Sequence, residues 1–191
     1  MSMPSTEDVL AAMLDEYALN KLVHAYCRAV DRGDLETLRS LYHDDAQDEH
    51  GAFSSGSVAD FIQTLADSRR FILSMQHHVT TTNFAVSGSY AEGEIYSIAT
   101  HTFATGKGKS DLVIGGRYLD KYEKRFGAWK ITEREIVTDW AQVNNPSVVD
   151  FSHPMTRDTR TGSPGPDDPS HKFFQLLGTV SSDSSRPARP E

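Results

Sequence analysis

A chain of 191 residues with a single cysteine, Cys27, has room for one domain and an appendage, and excludes an internal disulfide or a cysteine-based zinc site. Its formal net charge of −8 argues against nucleic acid as the main partner, because neutralising phosphates takes lysine and arginine. No apolar run approaches membrane-spanning length and no basic stretch precedes an apolar one at the start, so a cytoplasmic protein with neither membrane span nor signal peptide is expected.

Residues 6–32 predict a long amphipathic helix. Leu10, Met13, Leu14, Tyr17, Leu22, Val23, Tyr26, Cys27 and Val30 recur at helical spacing. Ser5 or Thr6 caps it, Glu7 and Asp8 suit the positive end of its dipole, and Gly33 stops it. Asp34 caps a second helix over 35–42. A short strand at 46–50 is weakly signalled, and 51–56 is a loop. Ser57 then caps a third helix, 58–70, with Phe61, Ile62 and Leu65 as its apolar stripe.

From there the period changes to two. Residues 73–104 read as two long strands joined at Ser87, Gly88 and Ser89. After a turn at 106–110 come a third strand, 111–125, and a fourth, 128–142. Gly115 and Gly116 inside a strand predict a bulge or a sharp bend. Helices first and a meander afterwards make an α+β fold: a curved antiparallel sheet forming a cone-shaped barrel, capped by about three N-terminal helices. The domain is expected to span 1–145. Residues 146–191 read as a C-terminal arm, with an apolar island at 171–177 and a disordered end at 181–191.

The interior of such a cone is where chemistry would sit. His77 and His78 are neighbours on a strand, so they point to opposite faces and fit one metal ion poorly. His78 shares parity with Thr80, Thr82, Phe84 and Val86, the bulkier set, which favours it as the inward residue; His77 is the alternative. His101 falls with Ile95, Ala99 and Phe103. Asp31 sits at the negative end of the long helix, a poor place for a carboxylate without a partner. A histidine would serve, because a carboxylate fixes the imidazole's tautomer and raises its basicity. Tyr26 lies on the apolar face of the same helix, in the core or with its hydroxyl in a cavity. Arg134 is a lone cation in a strand-like segment. There is no glycine-rich phosphate loop and no Gly-x-Ser-x-Gly elbow.

These residues fall into a familiar arrangement. Tyr26-x-x-x-x-Asp31-x-Gly33-Asp34, then Leu35-x-x-Leu38-x-x-Leu41-Tyr42, the His77-His78 strand, and Gly116-Arg117-Tyr118-x-Asp120-x-Tyr122-Glu123 followed by Gly127-x-Trp129-Lys130-Ile131 together resemble the SnoaL-like branch of the nuclear transport factor 2-like superfamily. The resemblance covers residues 8–142. Its pattern is closest to small cofactor-free lyases: scytalone dehydratase, bile acid 7α-dehydratase and hexachlorocyclohexane dehydrochlorinase. It implies a dehydratase-like lyase that uses an Asp–His dyad, and no cofactor or metal, on a hydrophobic cyclic small molecule. His78 is then the base, with His77 as the other registration, and Asp31 orients it. Tyr26 and Arg134 donate to the oxygen on which charge develops, and His77 and His101 contact the substrate. It also implies a homo-oligomer, dimer or trimer, that covers an open sheet face carrying Tyr96, Tyr118 and Trp140. The alternatives are a non-catalytic ligand-binding or assembly module, or an isomerase or polyketide-cyclase-like enzyme. An epoxide hydrolase needs Asp-Arg-Asp around a water, and Asp139 is the one candidate for the second acid on the closing strand.

Overall fold

The computed structural model describes residues 5–174. Helix α1 (Thr6–Arg32) begins with the reciprocal cap of Ser5 and Asp8 and ends at Gly33, whose φ of 63° puts it in the left-handed region that closes a helix. Its first three turns lie outside the core. Leu10, Met13, Leu14 and Tyr17 are more than half exposed, contrary to the stripe expected from spacing. A helix of 27 residues is about 40 Å long, and burial starts only at Leu19. Midway, the Trp129 indole N–H donates to Asp15 at 2.9 Å, and Lys124 pairs with the same carboxylate.

Asp34 caps α2 (Leu35–Ser40) by accepting from the Thr37 N–H. This helix ends earlier than expected, because Tyr42, 1% exposed, already opens strand β1 (Tyr42–Glu49). The strand was faint in sequence because its buried positions include His43 and Asp48 beside Tyr42 and Ala46. A short β2 (Ser55–Ser57) pairs with it inside the expected loop. Helix α3 (Val58–Ser68) carries a second reciprocal cap, Ser57 with Asp60, and one tight turn leads out of it. The long strands follow: β3 (Ile72–Ser87), β4 (Tyr90–Thr105), β5 (Gly108–Arg125) and β6 (Ala128–Asn144).

The six strands form one curved, unclosed sheet in the order β2-β1-β6-β5-β4-β3. All neighbours are antiparallel except β1 and β6, which run parallel. Leu19, Val23, Leu38, Phe61, Ile95 and Ile131 anchor the core between helices and sheet. Tyr118 belongs to it too, at 5% exposure, so the open outer face carries Tyr96 and Trp140 without Tyr118.

Two of the register shifts that bend the sheet bear on the cavity. Gly115 faces Trp140 while Gly116 faces Thr138, which leaves Asp139 as the extra residue. A Cβ on Gly116 would lie 2.4 Å from the Val137 carbonyl oxygen, a backbone atom that cannot swing aside. Gly116→Ala should therefore cost about 1–3 kcal/mol, read as a lowered thermal midpoint. In β3, Val79 faces Ser97 and Thr81 faces Tyr96, so Thr80 is the extra residue.

After β6 the chain is pinned and then returns. Asp111 accepts from Thr102 Oγ1 at 3.0 Å, Ser147 Oγ at 2.6 Å and the Val148 N–H at 2.8 Å. Farther along, the Gly165 N–H donates to the Arg32 carbonyl, and Asp168 pairs with the Arg32 guanidinium at 3.0 Å and caps α4 (Pro169–Phe173). The returning segment thus sits against the C-terminal end of α1. The disordered end expected at 181–191 lies outside the described residues. No helix among the described residues is long and apolar enough to cross a membrane.

Candidate functional site

The helices and the inner sheet face enclose a cavity of about 300 Å³. Its walls are largely apolar, with Phe53, Phe61, Leu65, Ile72, Phe103, Leu112 and Ile136 among them, and three histidines, His50, His77 and His101, also line it.

Asp31 is brought there by the last turn of α1 and is 7% exposed. Its Oδ1 accepts from His77 Nδ1 at 2.6 Å, and its Oδ2 accepts the His77 backbone N–H at 3.0 Å. Two donors thus compensate a carboxylate at the unfavourable end of a helix dipole. With Nδ1 committed, Nε2 is the His77 nitrogen left for proton transfer.

The partner is His77 and not His78, which is exposed on the outer face. The parity argument is right about Thr82 and Phe84, both partly buried, and fails at the bulge. The extra residue Thr80 shifts the alternation by one, so Met75, His77 and Val79 share the inner face.

His101 lies inside, as parity implies. Its ring meets His77 edge-on with centroids 5.4 Å apart and stacks on Phe103 at 5.7 Å. Burial, and then the neighbouring His77, push its pKa from 6.5 down to about 4, so it is neutral at neutral pH. Protonation therefore favours the unfolded chain: the stability this neutral ring carries is complete above pH 6.5 and is lost as pH falls toward 4. Urea unfolding across that window should show a slope worth on the order of 1–3 kcal/mol that His101→Phe removes.

Tyr26 also lines the cavity, and burial raises its pKa well above the usual tyrosine value, keeping its hydroxyl protonated. Behind it sits Arg134, expected to donate to the substrate oxygen; its side chain is wholly buried and does not line the cavity. Its guanidinium packs in the corner formed by the Tyr26 and Tyr118 rings, which meet edge to face, 3.9 and 4.4 Å from their centroids. Nε and Nη2 each donate to Asp120 at 2.6 Å, with both side chains wholly buried. Burial works against its charge, but Asp120 holds its pKa well above the usual arginine value. Asp48, Arg134 and Asp120 face one another in register across β1, β6 and β5, and none of the three lines the cavity. Asp139 is not a second acid of that row, since it sits on the outer side and accepts two bonds from Arg117, at 3.0 and 2.9 Å.

One pair escaped the sequence reading. The Asp48 side chain is fully buried, accepts the Tyr42 hydroxyl at 2.8 Å through Oδ2 and holds His50 Nδ1 through Oδ1. The His50 ring stacks on Phe61 with centroids 4.5 Å apart. The signal was an i, i+2 spacing, which puts both residues on one face of a strand. Among the described residues, no group of three or more His, Cys, Asp or Glu is arranged to hold a metal.

The profile of the SnoaL-like domain family matches residues 11–135. No curated protein matches the sequence. Among solved structures, a scytalone dehydratase-like protein of Novosphingobium aromaticivorans superposes with a TM-score of 0.62 at 19% identity, over 82% of this chain and 95% of its own. A hexachlorocyclohexane dehydrochlorinase of Novosphingobium barchaimii gives 0.63 at 20% identity, over 76% and 99%. A Mycobacterium tuberculosis protein of unknown function gives 0.56 at 26% identity, over 69% and 75%.

Proposed function

Because the chain belongs to the SnoaL-like domain family, we propose that it is a cofactor-independent lyase of dehydratase type acting on a hydrophobic cyclic small molecule. The observation that carries this reading is the 2.6 Å bond between Asp31 and His77 at the wall of a largely apolar cavity. His77 Nε2 takes an acidic proton next to a carbonyl. Asp31 holds the imidazole and stabilises the imidazolium that forms. The Tyr26 hydroxyl donates to the carbonyl oxygen as it gains charge, with Arg134 fixing the ring from behind. Neutral His101 borders the ligand. Two structural neighbours bear the names of a dehydratase-like protein and a dehydrochlorinase, which supports elimination over other chemistries.

The catalytic unit is residues 1–145, and 146–191 is an appended arm. A free, buried Cys27 suits a reducing compartment such as the cytoplasm. The exposed Tyr96, Ile98 and Trp140 on the outer sheet face suit a homo-oligomer, which sedimentation measures directly.

A screen of hydroxylated cyclic ketones for water loss tests the reading, with wild type and Asp31→Asn side by side. Turnover is expected in the wild type, falling about 100-fold or more in the variant. A ketone turned over equally by both overturns the dyad. The small apolar cavity also favours a second reading, a binding module, and native mass spectrometry that finds a retained, unmodified ligand would support it.

A further inference from the structure

His50 faces the same cavity as His77 from the far end of β1, and the reaction just described leaves it idle. Its setting repeats that of His77. In each, a buried aspartate with a second donor fixes Nδ1 and leaves Nε2 free: Asp31 takes the His77 backbone N–H, and Asp48 takes the Tyr42 hydroxyl. Phe61 stacked beneath the ring fixes its plane.

A base alone removes a proton. Loss of water from a hydroxy ketone also requires a proton on the departing oxygen, because hydroxide leaves poorly. The largely apolar walls offer few side chains that could give that proton, and His50 is one of them. We propose that His50, held by Asp48, is the general acid that protonates the leaving hydroxyl while His77 acts as base; this rests on the lyase reading above. The C–H bond beside the carbonyl breaks and its proton goes to His77 Nε2. His50 enters this step as the imidazolium, with its Nδ1 proton donated to Asp48 and a second proton on Nε2. The electron pair forms the carbon–carbon double bond, the carbon–oxygen bond breaks, and the oxygen departs as water with that Nε2 proton, leaving His50 neutral. Solvent then takes one proton from His77 and returns one to His50. Two histidine–aspartate pairs in one small cavity are thus given opposite duties.

The competing role for His50 is to anchor the turn into β2. Its backbone N–H bonds the Ser54 carbonyl at 2.7 Å and its carbonyl accepts from Phe53 at 3.2 Å, and both bonds survive a side-chain change. Two ketones separate the roles in the full-length chain. Cyclohexanone in heavy water reports exchange of the hydrogens beside the carbonyl, which needs only the base. 3-Hydroxycyclohexanone reports water loss, which needs the acid as well. His50→Gln is expected to keep exchange and to lose water loss by about 100-fold, and Asp48→Asn to show the same split more weakly, with melting temperatures measured alongside. Equal loss of both rates in His50→Gln, or loss of neither, overturns the acid. Unchanged rates in His77→Gln overturn the lyase reading instead, and a wild type inert toward both ketones overturns the two together.

Discussion

His77→Ala is expected to lower turnover about 100- to 10,000-fold, the span typical of a lost general base. The same change leaves Asp31 with only the backbone N–H of residue 77 as partner in a site 7% exposed. A stability loss of about 1–3 kcal/mol should accompany it, too little to account for the rate, and circular dichroism of the variant keeps the two effects apart. His78→Ala is the matched control. That side chain is exposed on the outer face and should leave both rate and stability near wild type. If His78→Ala is the damaging change and His77→Ala the silent one, the β3 register described above is wrong.

The second large effect is structural. Arg134 and Asp120 exchange two 2.6 Å bonds with no solvent access, and Tyr122 adds a hydroxyl bond to Asp120 at 2.5 Å. Removing one partner strands the other charge, which costs about 3–5 kcal/mol. Arg134→Met and Asp120→Asn should each lower the unfolding free energy measured in urea by that amount, and a double-mutant cycle should return much of it as coupling. Arg134→Met also withdraws the cation that packs against both Tyr26 and Tyr118, so a fall in turnover is expected even though Arg134 does not line the cavity. Were the double variant to cost the sum of the singles, the pair would not be acting as a unit.

The fold was legible because local signals agree with one another. Ser5, Asp34 and Ser57 cap the helices where spacing starts them, and the change from helical to two-residue period at Ile72 marks the sheet. Asp31 was legible through its misfit with the helix dipole. The choice between His77 and His78 was not, because the bulge falls in Thr80-Thr81-Thr82. Three identical residues carry no alternation from which to notice a skipped step. Arg134, Asp120 and Asp48 were hidden for another reason. A two-residue period assigns charge to the outside, and these three satisfy one another on the inside, with partners that lie strands apart.

The Thr80 bulge also bears on which histidine faces the cavity. β3 is the last strand of the sheet, paired on one side only. If its first half slid by one residue, Thr80 would enter the ladder and His78 would come opposite Ala99, where His77 now stands. The doubled histidine makes the imidazole indifferent to that slip. The rest of the strand is not: Gln76 would replace Met75 opposite His101, and Leu73 would replace Ile72 in the core. Met75 and Ile72, 5% and 7% exposed, are therefore the residues that decide which of two chemically equal histidines faces the cavity.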